Sequence, residues 1–291
     1  MKIIDTTTYF EEKLMMEIRF NILDSFIDKF VVCESRYSHS GKEKKINFDI
    51  NDYPKFKEKI INLIVDKEPS NLILKKDLST SDKRYNSVIR IKHQRNSIMS
   101  VLNQFSAEDY IIYSDNDEIP NLENIDLIHS KNKFIIFNQK IFYYKFNLLL
   151  PNLNWYGSKA CKLKNIKDID NLRAIKNKKY PFFRLDTLFS EVKHQNVEIV
   201  NEGGWHFSNL KNINELEKKY LNDENHSEYE AQGFTLERIK DNIKNKKIDY
   251  NHEAKKDSNE RFQQTKLEVA KINILPMFIQ KNLDKYKEWV V

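Results

Sequence analysis

The chain has 291 residues, 40% hydrophobic and 32% charged, with a formal net charge of +6. That is the balance of a globular α/β-sized chain with a buried core, and no window reaches the roughly 18 apolar residues a bilayer span needs. Two cysteines without Cys-x-x-Cys spacing exclude a disulfide framework and a zinc cluster, and five glycines with no Gly-x-Gly-x-x-Gly or P-loop pattern exclude glycine-rich phosphate loops. The positive charge is lysine dispersed among acids. It reads as a solvated surface suited to an anionic, phosphate-bearing ligand rather than as a nucleic-acid groove. Met1 to Asp5 is too polar for a secretory leader, so the expected location is cytoplasmic.

In chain order, Lys2–Asp5 reads as a first strand, and Phe10, Leu14, Ile18, Ile22 and Phe26 form a helical stripe. Phe30–Ser35 is a compact buried strand. Tyr53–Val65 reads as a helix with Pro54 in its first turn, and Asn71–Leu74 as another strand. Arg84–Phe105 is a long helix, Asp109–Ser114 a strand, and Phe134–Phe137 a further strand. This alternation predicts a mainly parallel sheet with helices on both faces, whose ligands bind at the carboxyl ends of the strands. Beyond residue 140 the pattern changes. Ile141–Leu150 and Trp155–Leu163 read as aromatic-rich strands, and Val197–Val200 and Trp205–Phe207 as short extended pieces around Gly203-Gly204. From Asn212 the chain reads as charged helices interrupted by Pro276. The expected organisation is one domain over residues 1–245 with a helical extension, 246–291, packed on it.

The densest chemistry lies at Ser114-Asp115-Asn116-Asp117-Glu118-Ile119-Pro120, directly after an apolar strand. A pair of aspartates two apart in a turning backbone can aim two carboxylates at one hard cation, Mn²⁺ or Mg²⁺, which keeps places for phosphate oxygens and water. Such a cation neutralises a departing diphosphate. A polar turn is the plainer explanation of an isolated Asp-x-Asp. An EF-hand loop fails because Pro120 stands where its sixth-position glycine is required. An aspartyl-phosphate hydrolase would want a second, Gly-Asp-based acidic motif; no Gly-Asp pair occurs, but the alternative stays open. A two-acid nuclease would want further acids on neighbouring strands, and none is identifiable.

Ser-Asp-x-Asp-Glu-Ile-Pro resembles the hallmark of glycosyltransferase family 17. Other segments resemble it in the same order: Glu17-Ile18-Arg19-Phe20-Asn21, Phe30–Ser35, Ser38-His39-Ser40-Gly41-Lys42, Gln94-Arg95-Asn96, and Gly203-Gly204-Trp205-His206-Phe207-Ser208. The resemblance implies a GT-A fold, a nucleotide-sugar donor (UDP-GlcNAc in the characterised animal enzymes), a glycan acceptor and inversion at the anomeric carbon. Unlike in the animal enzymes, no membrane anchor is expected here, which sets Golgi residence and the bisecting acceptor apart from what the resemblance implies.

The expected metal ligands are Asp115, Asp117 and, by analogy with the C-terminal histidine of many GT-A enzymes, His206. Asp5 and the threonines Thr6 to Thr8, at the end of the first strand, are expected nucleotide contacts, although they could equally cap the next helix. Arg95 suits a phosphate through its planar fork, with Arg84 a weaker candidate. The base that deprotonates the acceptor is sought among Glu118, Asp186, Glu191 and Glu202, with Asp186 and Glu202 preferred because acceptor contacts are expected in the second half. Tyr143, Tyr144, Trp155 and Tyr156 could stack on sugars or simply form core. Arg19 is expected to pair with Glu34.

Overall fold

The computed structural model describes all residues except 124, 223–234, 253, 255–259 and 261–262. The apolar runs of the first half become four parallel strands: β1 (Ile3–Tyr9), β2 (Lys29–Ser35), β3 (Ile60–Val65) and β4 (Tyr110–Ser114). They lie in the order β3-β2-β1-β4. Helix α1 (Lys13–Leu23) crosses from β1 to β2; α2 (Thr80–Ser97) and the short α3 (Met99–Leu102) lead into β4. Strand β2 is buried along its interior because helices cover both faces, which is why it reads as a continuous apolar run. Helix α2 starts in a reciprocal capping box between Ser79 and Asp82, four residues before the expected start.

Two first-half expectations are overturned. Tyr53–Val65 is not one helix: a 3₁₀ turn covers Pro54–Lys59 and the rest is β3. Four of the six residues of β3 are β-branched, and pairing with β2 decides their conformation. Asn71–Leu74 is not a strand. The backbone N–H of Ile73 donates to Asn86 Oδ1 (2.8 Å), and its carbonyl accepts from Asn86 Nδ2 (3.0 Å). One side chain thus satisfies the groups a neighbouring strand would have taken, and Leu74 points to solvent.

The second half makes the sheet mixed, not mainly parallel. It supplies β5 (Glu118–Pro120), β6 (Phe134–Tyr143), β7 (Leu148–Lys162), β8 (Val197–Val200) and β9 (Gly204–Ser208). Strand β7 is antiparallel to both β4 and β6, and β5 is antiparallel to β9; β8 and β9 run parallel to β6 along successive halves of its other edge. The cause is a four-residue connection, 144–147, in which Tyr144 takes a left-handed conformation (φ 64°). So short a link can join only antiparallel neighbours. The expected strand Ile141–Leu150 is therefore the hairpin itself.

Helix α4 (Ile169–Ala174) follows β7, and α5 (Ile213–Tyr220), α6 (Leu236–Lys244) and α7 (Met277–Lys281) follow β9. The expected all-helical C-terminal part is interrupted by a small ladder, β10 (Lys247–Ile248) with β11 (Thr265–Lys266), and by β12 (Glu268–Val269), which pairs with β7. Part of that expectation, at 223–234 and 255–259, lies outside the described residues. Helix α7 packs on α1, and the last residue closes on the hairpin, Val291 N–H donating to Asn147 Oδ1 (2.9 Å).

The two halves are joined at Arg19, on α1 and fully buried. Its Nε and Nη2 grip the Asp5 carboxylate of β1 at 2.7 and 2.5 Å, and its Nη1 donates to the Glu118 carbonyl of β5 (2.6 Å). The expected Arg19–Glu34 pair does not form; Glu34 is bound by Lys44 and by the N–H groups of Asn47 and Phe48. Replacing Arg19 with Met should cost about 3–5 kcal/mol in urea denaturation, because it strands the buried Asp5 carboxylate. Adding Asp5→Asn should recover part of that loss; a double variant no more stable than Arg19→Met would contradict this account.

Candidate active site

Strands β1, β2 and β4 all point their carboxyl ends at one cavity of about 200 Å³. Thr8 and Tyr9 line it from β1, Ser35 from β2, and Asp115 and Asn116 from the turn after β4. Gln94 and Arg95 reach it from α2, and Lys219 from α5; Phe10, Tyr37, Glu12 and Lys44 complete much of the wall. Gln94 is positioned by its Nε2 donating to the Cys33 carbonyl (2.8 Å).

Asp115 is held by three donors. Tyr113 Oη lies 2.8 Å from Oδ1, Arg95 Nη2 3.1 Å from the same atom, and Arg173 Nη2 2.8 Å from Oδ2. Burial alone would raise the pKa of this carboxyl, but the Arg173 and Arg95 guanidiniums, with the Tyr113 hydroxyl, outweigh it and hold the group far below the usual carboxylate range. Arg95 is itself fixed by Nε donating to Tyr113 Oη (2.9 Å). Burial opposes its charge, but Tyr113 and Asp115 more than compensate and keep it protonated.

Arg173, from α4, bridges two acids. Besides Asp115 it binds both carboxylate oxygens of Glu118 (2.7 and 3.1 Å) and donates to the Gly157 carbonyl. Glu118 is fully buried and also accepts from Trp155 Nε1 (2.7 Å) and the Asp115 N–H (3.1 Å). Both of its carboxylate oxygens are thus taken by donors of the surrounding frame. Space for it exists because residue 157 is glycine: a Cβ there would lie 2.6 Å from Glu118 Cδ and 2.1 Å from Gln139 Oε1. Behind Arg173 sits buried Lys159, whose Nζ donates to the carbonyls of Arg173 (2.6 Å) and Ile175 (2.5 Å) at the end of α4. Desolvation, helped by the neighbouring Arg173 charge, pushes its pKa down to about 7.

Asp117 is fixed by the β5–β9 ladder. Its carbonyl accepts from Phe207 N–H (2.8 Å), and the register sets His206 opposite Glu118. His206 Nε2 lies 3.4 Å from Asp117 Oδ2, and Lys219 Nζ 3.9 Å from the same oxygen. Burial would raise the Asp117 pKa; His206 and Lys219 overcome it and lower it. The His206 ring packs against Trp155 (centroids 4.7 Å apart), and its buried Nδ1 has no hydrogen-bond partner among the described residues. Among those residues, no three His, Cys, Asp or Glu side chains converge as a metal-holding cluster.

The sequence candidates are thus divided. Thr8, Arg95 and Asp115 line the cavity, while Asp117 and His206 stand together beside it. Asp5 is sealed against Arg19, and Thr6 is buried with its hydroxyl on the Ile112 carbonyl (2.8 Å), so neither lines the cavity. Asp186 sits on an exposed loop, paired with Arg184 (2.8 Å) and Lys193 (3.0 Å); Glu191 is exposed and paired with Lys167; Glu202 is exposed, in a left-handed turn (φ 50°), and paired with Lys140. None of the three lines the cavity, nor does exposed Arg84. Trp155 bridges Glu118 and His206, whereas Tyr143 and Tyr144 are buried. Arg173, Lys159 and Lys219 had no signal in the sequence: each arrives from an element that only the tertiary fold brings to the strand ends.

The family model of glycosyltransferase family 17 matches residues 1–287, and the chain belongs to that family. It is a glycosyltransferase; membership implies a nucleotide-sugar donor and an acceptor. No curated protein matches the chain closely. Among solved structures it is similar to HddC from Yersinia pseudotuberculosis (9% identity, 70% of this chain, 92% of that one, TM-score 0.34). It is also similar to a glycosyltransferase involved in glycosylation of the major capsid of PBCV-1 (10% identity, 69% and 82%, TM-score 0.29). No helix among the described residues is long and apolar enough to cross a membrane.

Lys159 makes the brace behind the acids dependent on pH. Over pH 7 to 10 the folded chain holds less of this proton than the unfolded chain, whose lysine titrates near 10.4, so the lysine's contribution to stability rises with pH. The stability difference between wild type and Lys159→Met should grow from pH 7 to pH 9, by at most about 1.4 kcal/mol per pH unit. Urea titrations at the two pH values measure it, and a pH-independent difference would refute the neutral lysine.

Proposed function

We propose that this protein moves a sugar, GlcNAc, from a UDP donor to a glycan acceptor with inversion, on a GT-A-like core. The observation that supports this most is the cavity at the carboxyl ends of β1, β2 and β4, where Arg95, Lys219 and an ionised Asp115 meet. Arg95 and Lys219 offer positive charge to a diphosphate. Asp115 takes part as a fixed anion that holds Arg95 at the cavity wall. Phe10 and Tyr37 offer ring surface to the base.

The family chemistry calls for a divalent cation, and Asp117 with His206 fits one in part: the imidazole Nε2 lies 3.4 Å from Asp117 Oδ2, so one cation could take both. These two residues would hold it, with phosphate oxygens and water as the other ligands. Asp115 fits less well, since Tyr113, Arg95 and Arg173 already occupy its oxygens. Bound there, Mn²⁺ or Mg²⁺ would neutralise charge on the leaving diphosphate. Asp186 and Glu202 stay proposals for the acceptor base on sequence grounds alone, and the cavity lends neither any support.

Calorimetry tests the reading. UDP should bind, Mn²⁺ should tighten it, and Asp117→Ala should abolish that gain. Arg95→Ala should weaken UDP by about tenfold or more, the worth of a charge-assisted bond. Equal UDP affinity in excess chelator would remove the metal role. Release of inorganic phosphate from phosphate esters, with no UDP released from UDP-GlcNAc, would favour the hydrolase instead.

A further inference from the structure

The segment after α4, Tyr180-Pro181-Phe182-Phe183-Arg184-Leu185-Asp186-Thr187-Leu188-Phe189, presents large apolar side chains outward. Phe182, Phe183, Leu185, Leu188 and Phe189 are 66–89% exposed. A cluster of this kind exceeds the scattered apolar exposure normal for a protein surface. It does not arise from an unstructured chain. The Arg184 N–H donates to the Pro181 carbonyl (3.0 Å), Thr187 Oγ1 donates to the Arg184 carbonyl (2.6 Å), and Gln195 Nε2 donates to Thr187 Oγ1 (2.9 Å) and the Phe182 carbonyl (3.1 Å). Thr187 is buried, so the turn is anchored from within while its apolar residues project.

The flanks are basic. Residues 176–193 carry five cations (Lys176, Lys178, Lys179, Arg184 and Lys193) against two anions (Asp186 and Glu191), so +3 of the chain's net +6 falls in this short stretch. Lys176, Lys178 and Lys179 are exposed, whereas both anions are already paired with cations. Protein–protein interface cores are depleted of lysine. Exposed Phe and Leu bordered by Lys and Arg instead match the boundary between the headgroups and acyl chains of an anionic bilayer.

We propose that this loop is a peripheral attachment site for an anionic lipid surface. It follows directly from α4, whose Arg173 grips Asp115 and Glu118, so attachment would dock the protein by the element that braces its acidic cluster. The proposal is independent of the donor and metal assignments above.

The test is flotation of the full chain with phosphatidylcholine vesicles containing about 30% phosphatidylglycerol. Wild type should float with them, should not float with pure phosphatidylcholine, and should be released by about 1 M salt. The variant Phe182→Ser/Phe183→Ser/Phe189→Ser should partition at least about tenfold more weakly. Lys176→Glu/Lys178→Glu/Lys179→Glu should lose about fivefold per lysine. Both should keep the wild-type melting temperature and UDP affinity, because the replaced side chains are exposed and off the cavity. Failure of wild type to float, or equal flotation of the serine variant, would overturn the proposal. So would a wild-type dimer that the serine variant converts to monomer without either binding vesicles, since the patch would then join two copies of this chain.

Discussion

One guanidinium, that of Arg19, holds the sheet to its acidic edge. It is buried on α1, clamps Asp5 in the middle of β1, and reaches across to the backbone of β5. A buried ion pair is weak as a source of net stability but strong as a constraint on geometry, because neither charge tolerates the loss of the other. The strand that carries Asp5 and the short strand that follows Asp117 are thereby fixed to each other through a side chain. Backbone pairing does not do this, since β1 and β5 are far apart in the sheet order.

The same logic recurs outward. Three acids of the sheet and its acidic turn, Asp5, Asp115 and Glu118, are matched by Arg19, Arg95 and Arg173. What the sequence displays as an acidic motif is locally close to neutral in the fold. Asp117 differs: its partners are a histidine and a more distant lysine, both weaker claims on a carboxylate than a bidentate arginine. The two aspartates therefore have different electrostatic characters despite being two residues apart. Asp115 is a fixed anion within a hydrogen-bonded frame, and Asp117 is the one with coordinating capacity to spare.

The parts that were legible in the sequence are those set by local pattern. The apolar runs at Phe30–Ser35 and Asp109–Ser114, the helical stripe from Leu14 to Ile22, and the position of the acidic turn at a strand's carboxyl end all follow from periodicity and burial. The misreadings share one cause, tertiary partners overriding local signals. Proline and spacing suggested a helix to Val65, but β2 captured Ile60–Val65 as a strand. Asn86 took the backbone groups of Ile73. A tight turn at Tyr144 made β6 and β7 an antiparallel pair, which no hydrophobic period encodes. Asp5 and Thr6 were expected at the end of the first strand, but β1 runs on to Tyr9 and leaves both in its interior, Asp5 against Arg19 and Thr6 on the Ile112 carbonyl. Arg173 was invisible because an arginine in Asn171-Leu172-Arg173-Ala174 has no pattern; only the return of the chain from β7 brings it over Glu118.

Strand β6 shares one edge between two short strands, β8 and β9, with Gly203 folded into the seam, its N–H donating to the Asn138 carbonyl (2.7 Å). A Cβ on Gly203 would lie 2.8 Å from the Asn138 nitrogen, and one on Gly204 (φ 130°) would lie 2.1 Å from the Ile119 carbonyl oxygen. The link from β8 to β9 is thus a gauge of fixed length. In a strand, adding or removing one residue moves every side chain to the opposite face. The loop between Val200 and Gly204 therefore sets where β9 begins: the close packing of Gly203 and Gly204 goes with the register that puts His206 opposite Glu118 and beside Asp117, and a change there that slipped this register by one residue would turn the histidine away from the aspartate.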